Sequence, residues 1–261
     1  MSDSRSPSGA APLLEAQALS KHFDGVQALD KVDMVIYPGE LVSLIGPNGS
    51  GKTTFFNCVT GFLRVDEGRV LFKNQDITQQ RPDKITLKGI CRTFQNVRIL
   101  PSLTVEENLL VALQQFQEDN LIKRILHTPS ISKLEAESKE CAANLLDQVG
   151  LYHLRDQQAR NLVFGQRKLL EFACALIPDP ELVLLDEPAA GVSTTMVDRM
   201  KSLIRSLNKT GKTFLVVEHN MGVVMDISHR IVVLDYGKKI AEGTPLEVRG
   251  NELVKEAYFG R

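Results

Sequence analysis

The sequence predicts an α/β fold: strands alternating with helices, an antiparallel β edge at the front, and an α-helical segment inserted in the middle. Three observations predict it. Short apolar runs alternate with helix-length segments on both sides of a central stretch. That stretch, from Gln95 to about Phe164, carries helix caps and apolar stripes where strands would otherwise fall. A glycine-rich loop, Gly46-Pro47-Asn48-Gly49-Ser50-Gly51-Lys52-Thr53-Thr54, joins an apolar run directly to a helix.

Taken in order, Leu13 to Phe23, Val32 to Tyr37 and Leu41 to Gly46 read as strands, with Asp24-Gly25 and Pro38-Gly39 as the turns between them. Lys52 to Leu63 reads as a helix, followed by a strand at Arg69 to Phe72, a helix near Pro82 to Lys88 and a strand from Ile90 to Phe94. In the insert, Thr104-Val-Glu-Glu107 and Ser132-Lys-Leu-Glu135 are S/T-x-x-E capping boxes, so helices are expected to start there and run to about Glu118 and Val149. The second has Leu134, Cys141, Leu145 and Val149 on one apolar stripe. Alternation then resumes: a helix from Arg167 to Leu176, a strand Leu182 to Leu185, a helix Thr195 to Leu207, a strand Thr213 to Val217, a helix after Asn220 and a strand Arg230 to Leu234.

Composition narrows the function. With 261 residues, 43% hydrophobic and 24% charged, the chain can bury a sizeable core. Lys plus Arg number 31 against 32 for Asp plus Glu, a net charge of −1, so no general basic field is present to hold nucleic acid. The apolar runs are strand-length, whereas a membrane span needs about 20 residues. Met1 to Ala11 is polar, rich in Ser, Pro and Gly, without the basic-then-apolar pattern of an export signal, and is expected to be a flexible tail. Cys58, Cys91, Cys141 and Cys174 are widely spaced with no C-x-x-C pair, which argues for small buried hydrophobes rather than a zinc or disulfide framework.

The chemistry lies in two motifs. Gly46 to Thr53 matches G-x-x-x-x-G-K-[ST] in its required strand-to-helix context, so backbone N–H groups and a helix N-terminus face phosphate oxygens. Lys52 is then expected to reach the β- and γ-phosphates of a nucleotide, and Thr53 to supply a hydroxyl to Mg²⁺. The apolar run Leu182 to Leu185 ends in Asp186-Glu187. Behind a phosphate loop, Asp186 is placed to hold the metal and Glu187 to polarise the attacking water.

Asn161-Leu162-Val163-Phe164-Gly165-Gln166, before an apolar helix, resembles the Leu-Ser-Gly-Gly-Gln signature of the ATP-binding-cassette family through Leu162, Gly165 and Gln166, and departs from it at Val163. The resemblance implies a RecA-like phosphate-loop ATPase core with an antiparallel β subdomain and an inserted α-helical subdomain at about 95–165, in one domain over 12–261. It also implies a head-to-tail dimer in which each signature closes over ATP held by the other subunit. Further members of the pattern follow. Phe23 is similar to the aromatic that stacks on adenine, Gln95 to the glutamine that meets Mg²⁺ and the attacking water, and His219 to the histidine that contacts the γ-phosphate. Ser193, in Ala190-Gly-Val-Ser193, occupies a position that is usually Asp or Asn, a second departure.

Leu126-His-Thr-Pro129-Ser130, Asp186-Glu-Pro-Ala-Ala-Gly191, Glu218-His219-Asn-Met221 and Ala257-Tyr258-Phe259-Gly260 together resemble the ATP-binding subunit of high-affinity branched-chain amino-acid importers. That resemblance implies two transmembrane permeases, a second cassette subunit, an external solute-binding protein reached indirectly, and a place on the cytoplasmic face of the inner membrane. By the same resemblance Val97 to Leu103 is expected near a permease. Import of amides or urea, a soluble cassette ATPase outside transport, and a nucleotide-gated scaffold with impaired hydrolysis stand as alternatives. The intact Lys52, Asp186, Glu187 and His219 weigh against the last.

Overall fold

The computed structural model describes residues 10–93, 98–114 and 129–259. Its strands are β1 (Leu14–Phe23), β2 (Val26–Ile36), β3 (Leu41–Ile45), β4 (Glu67–Phe72), β5 (Gln75–Asp76), β6 (Ile90–Arg92), β7 (Leu182–Asp186), β8 (Thr213–Val217), β9 (Arg230–Asp235) and β10 (Lys238–Gly243). The helices are α1 (Lys52–Val59), α2 (Pro82–Leu87), α3 (Val105–Gln114), α4 (Pro129–Gln148), α5 (Phe164–Leu176), α6 (Thr194–Lys209), α7 (Met221–Ile227), α8 (Pro245–Gly250) and α9 (Glu252–Phe259).

Among the described residues the strands form two sheets: an antiparallel one ordered β2-β1-β4-β5, and a six-stranded one ordered β10-β9-β3-β8-β7-β6. The pairs β9-β3, β3-β8, β8-β7 and β7-β6 are parallel, and β10 closes the edge antiparallel. The period of two divides each central strand between two cores. Val42, Leu44, Leu182, Leu184, Leu215 and Val217 face the antiparallel sheet and α1. Val183, Leu185, Phe214 and Val216 face the helices α3 to α6. A third cluster, with Ile45, Val224, Val233, Val248 and Val254, seats α7 to α9. The order places β3 between β9 and β8, so the ends of β3, β8 and β7 meet at one edge, where open parallel sheets gather ligand groups.

Several elements differ from the sequence expectation. The helix expected over Lys52 to Leu63 ends at Val59, where Gly61 turns the chain with φ 73°. The strand expected from Val32 starts at Val26, pairing with β1 back to Phe23. Thr104 and Glu107 form the expected capping box, with reciprocal bonds of 2.7 and 3.1 Å. The box expected at Ser132 does not start α4, which is already helical from Pro129. Of the expected stripe, Val149, just past the end of α4, is buried and Leu145 is half-buried against the same core, beside the buried Ala142 and Leu146, whereas Leu134 and Cys141 are exposed. Cys58 and Cys91 are buried as expected, and burial pushes their thiols up to about 11 and about 12. No helix among the described residues is long and apolar enough to cross a membrane.

Candidate active site

The loop from Gly46 to Thr54 wraps from the end of β3 into α1. Gly46 and Gly51 are demanded by close approach. A Cβ on Gly46 would lie 2.0 Å from the Leu234 carbonyl oxygen, and one on Gly51, at φ 104°, would lie 2.5 Å from the Ala28 oxygen. The loop is braced from outside as well: the Gly237 N–H donates to the Ser50 carbonyl at 3.0 Å, and the Asp30 N–H to the Gly237 carbonyl at 2.8 Å. Lys52 is nearly buried, and its ammonium donates to the Gly46 and Pro47 carbonyls, both at 2.8 Å. Burial lowers its pKa, and the nearby Glu187 and Asp186 carboxylates oppose that shift. Pro47 is half-buried and Ser50 buried, while Asn48, Gly49 and Thr53 are exposed beside the half-buried Thr54. The loop therefore presents backbone and hydroxyl groups outward around one cation.

Strand β7 carries Asp186 to the same edge, where it is 5% exposed. Arg92, at the end of the adjacent β6, donates to its Oδ2 at 2.8 Å, and the Thr93 hydroxyl accepts from the Asp186 N–H at 3.2 Å. Glu187 follows with φ 48°, a left-handed backbone that costs a non-glycine residue about 1–3 kcal/mol and points to a functional constraint. Three contacts hold it there: its N–H donates to the Val217 carbonyl at 2.9 Å, while its own carbonyl accepts from Ala190 at 3.1 Å and from the Lys168 ammonium at 3.3 Å. His219, just past β8, brings Nδ1 to 3.6 Å from Glu187 Oε1. A carboxylate and an imidazole, two groups able to take up or give a proton, thus stand close together beside the lysine loop.

Phe23 ends β1, 42% exposed, with the Lys21 ammonium 5.5 Å from its ring centre. Its hairpin abuts the loop through Ala28 and Gly51. Gln95 lies outside the described residues, as do Leu126 to Thr128 and Gly260. Thr53 and Asp186 offer a hydroxyl and a carboxylate, hard oxygen donors of the kind Mg²⁺ takes together with phosphate oxygens and water, so the donor set fits that metal.

Leu162 is a buried anchor, whereas Val163 and Phe164 are 65% and 48% exposed. Helix α5 starts at Phe164 rather than at the expected Arg167, because the Gln166 side chain accepts from the Val163 N–H at 3.1 Å and closes the first turn. Gly165 and Gln166 therefore lie in that turn, whose N–H groups have no intrahelical acceptor and face outward. Among the described residues, none of Leu162 to Gln166 hydrogen-bonds to Gly46–Thr54. Ser193 caps α6, its hydroxyl accepting from the Met196 N–H at 3.4 Å, so serine keeps the capping function of the expected Asp or Asn.

Sequence reasoning missed three side chains that frame this site: Arg92, Lys168 and Glu218. Each is a charged residue in or beside an apolar run, with no local pattern that distinguishes it from a solvated side chain.

A family model described as ABC transporter matches residues 29–190, and one described as branched-chain amino acid ATP-binding cassette transporter matches residues 238–261. The chain is 42% identical over 250 residues to the high-affinity branched-chain amino acid transport ATP-binding protein LivG of Escherichia coli strain K12, covering 95% of this chain and 98% of that protein. It is 40% identical, with the same coverage, to BraF of Pseudomonas aeruginosa, a protein of the same description. Among solved structures, a crystal structure of the ADP conformation of an ATP-binding cassette from an ABC transporter superposes with a TM-score of 0.83 at 36% identity, covering 96% of this chain and 100% of that one. A dimeric post-hydrolysis structure of a cassette bound to ADP and phosphate superposes with a TM-score of 0.75 at 25% identity, covering 89% of this chain and 98% of that one.

Proposed function

Since this chain belongs to the ABC transporter family of ATP-binding cassettes, we propose that it is the ATPase subunit that powers an importer of branched-chain amino acids from the cytoplasmic face of the inner membrane. Family members of this kind dimerise and work with membrane permeases. The complex so read comprises two permeases, a second cassette and an external solute-binding protein. The observation that carries the hydrolytic reading is the pairing of Glu187 with His219 at 3.6 Å beside the Lys52 loop. Cargo is carried by likeness along the whole chain, including the C-terminal segment 238–261.

In this reading the loop Gly46 to Thr54 cradles the β- and γ-phosphates, Lys52 meets their charge, and Phe23 stacks on adenine. Mg²⁺, held by Thr53 and Asp186 with Gln95, would neutralise developing charge on the phosphates. Glu187 accepts the proton of the attacking water, and His219 steadies the γ-phosphate. Val163 to Gln166 close on the nucleotide of the second cassette. A cleft of about 380 Å³ lined by Phe62, Pro82, Arg98, Leu100, Asn108 and Val111 lies beside Arg92 and Thr60. It accepts a permease's cytoplasmic helix, in keeping with the exposed Leu100.

The test is uptake into vesicles carrying the chain with its permeases and the second cassette. ATP inside and binding protein outside should drive accumulation of leucine, isoleucine and valine. Accumulation of urea or a short amide in their place would assign the alternative cargo, and no uptake of any of them would remove the importer reading.

A further inference from the structure

Glu218 is 1% exposed and follows the last residue of β8, Val217. A carboxylate that deep is costly unless donors replace its water. Here three backbone N–H groups do so, and they come from two different loops. Oε1 accepts from Ala189 at 2.8 Å. Oε2 accepts from His219 at 3.1 Å and from Asn220 at 3.2 Å. Ala189 lies two residues beyond Glu187 in the turn that Glu187 opens, and His219 carries the imidazole that faces Glu187. One buried carboxylate therefore joins the backbone of the Glu187 turn to the backbone of the His219 loop.

Capping of α7 does not require it. Asn220 Oδ1 already accepts from Gly222 at 3.0 Å and from Val223 at 3.3 Å. Nor does strand pairing, which ends at Val217 opposite Asp186. The left-handed backbone of Glu187 is held at its own N–H and carbonyl by Val217, Ala190 and Lys168, and the bond to Ala189 adds a constraint just beyond it.

We propose that Glu218 is a positioning residue for hydrolysis: its carboxylate fixes the turn of Glu187 to the loop of His219, so that the two side chains reach the nucleotide in one register. The proposal rests on the reading of Glu187 and His219 as the hydrolytic pair. It assigns Glu218 no contact with nucleotide, so ATP binding should be indifferent to it while turnover is not.

The test is Glu218→Gln in the assembled transporter. Glutamine keeps one carbonyl acceptor and turns an NH₂ group toward the other loop's N–H, so one of the two loops must lose its bond. Turnover should fall about 10- to 100-fold, as for a slight misplacement of reacting groups, while the KM for ATP and the affinity for a fluorescent ATP analogue stay within about twofold. In a His219→Ala background the same substitution should cost little more, because the register it sets has already lost its partner. Unchanged turnover, or an equal fold loss in the His219→Ala background, would overturn the proposal. Hydrogen exchange on the unmodified protein decides the matter if the variant does not fold: the Ala189 and Asn220 amides should open together with one free energy, and independent opening would overturn the linkage. Absence of ATP turnover in the unmodified complex would defeat the functional reading, while the exchange result would still judge the clamp.

Discussion

Arg92 and Asp186 form an ion pair at 2.8 Å with side chains only 7% and 6% exposed, joining the ends of the adjacent strands β6 and β7. The same guanidinium donates to Asn57 at 2.6 Å and to Thr60 at 3.3 Å, and it lies over the rings of Phe56 and Phe62. One side chain thus ties the acidic strand to helix α1, which begins at Lys52. Removing one partner of a buried pair leaves the other charge uncompensated, at about 3–5 kcal/mol. Arg92→Met should lower stability to chemical denaturation by about that amount. Adding Asp186→Asn should restore part of it, and a double variant as unstable as the sum of the singles would contradict the pairing.

Lys52→Ala removes the cation that the loop holds between the Gly46 and Pro47 carbonyls. Loss of charge-assisted bonds to phosphate at about 1.5–3 kcal/mol predicts an ATP affinity lower by roughly 10- to 150-fold. Titration with a fluorescent ATP analogue checks this, alongside circular dichroism to establish that the variant is folded. Undiminished affinity in the folded variant would contradict the phosphate-loop assignment.

How much of this was legible in the chain depended on whether the determinant was local. Strands β3, β7 and β8 are apolar runs bounded by turn residues, and both their faces are buried, so the pattern and the environment agree. The phosphate loop is legible for the same reason, since its conformation is set by glycines within a few residues of Lys52. The first half of β2 is an exposed edge without alternation and was not legible. The start of α5 was hidden because its cap is a glutamine side chain three residues later rather than a polar residue at Val163. Arg92 sits inside the run expected as a strand and Glu218 just past the end of one, and only the folding of distant segments against them turns them into buried anchors.

Asp66 holds the Lys21-His22 stretch that leads to Phe23, accepting from the Lys21 ammonium and from the His22 N–H, both at 2.7 Å. The Lys21 bond first, and the His22 N–H second, lower its pKa from 3.8 to about 2. A carboxylate depressed in the folded state contributes stability that is complete above its unfolded value and is lost as pH falls through the folded value. Asp66→Asn should therefore melt below the unmodified protein at neutral pH, and the gap should narrow from about pH 4 downward toward about pH 2. A gap of constant size down to the acid limit of folding would show that the ionised carboxylate contributes nothing.

Val163 stands 65% exposed at the start of α5, so a serine there disturbs no packing. A hydroxyl bonded to the partner site's γ-phosphate is worth about 1.5–3 kcal/mol, or roughly 10- to 150-fold in closing that site. In an asymmetric pair of cassettes, the site closed by this chain's Gly165 and Gln166 should be the weaker. Val163→Ser should raise both the ATPase of the whole complex at saturating ATP and the closed-dimer population. No change in either would mean that the backbone donors of the first turn already suffice.

In the proposed function Glu187, held in a left-handed turn beside His219, activates the water that cleaves ATP bound at the Lys52 loop. Glu187→Gln keeps the shape and the acceptor oxygen but not the base. Single-turnover cleavage of γ-labelled ATP by the assembled complex, compared between the unmodified chain and Glu187→Gln, tests this most directly. Cleavage should be slower by about 10²- to 10⁴-fold with ATP still bound; cleavage at an undiminished rate would contradict the role of Glu187.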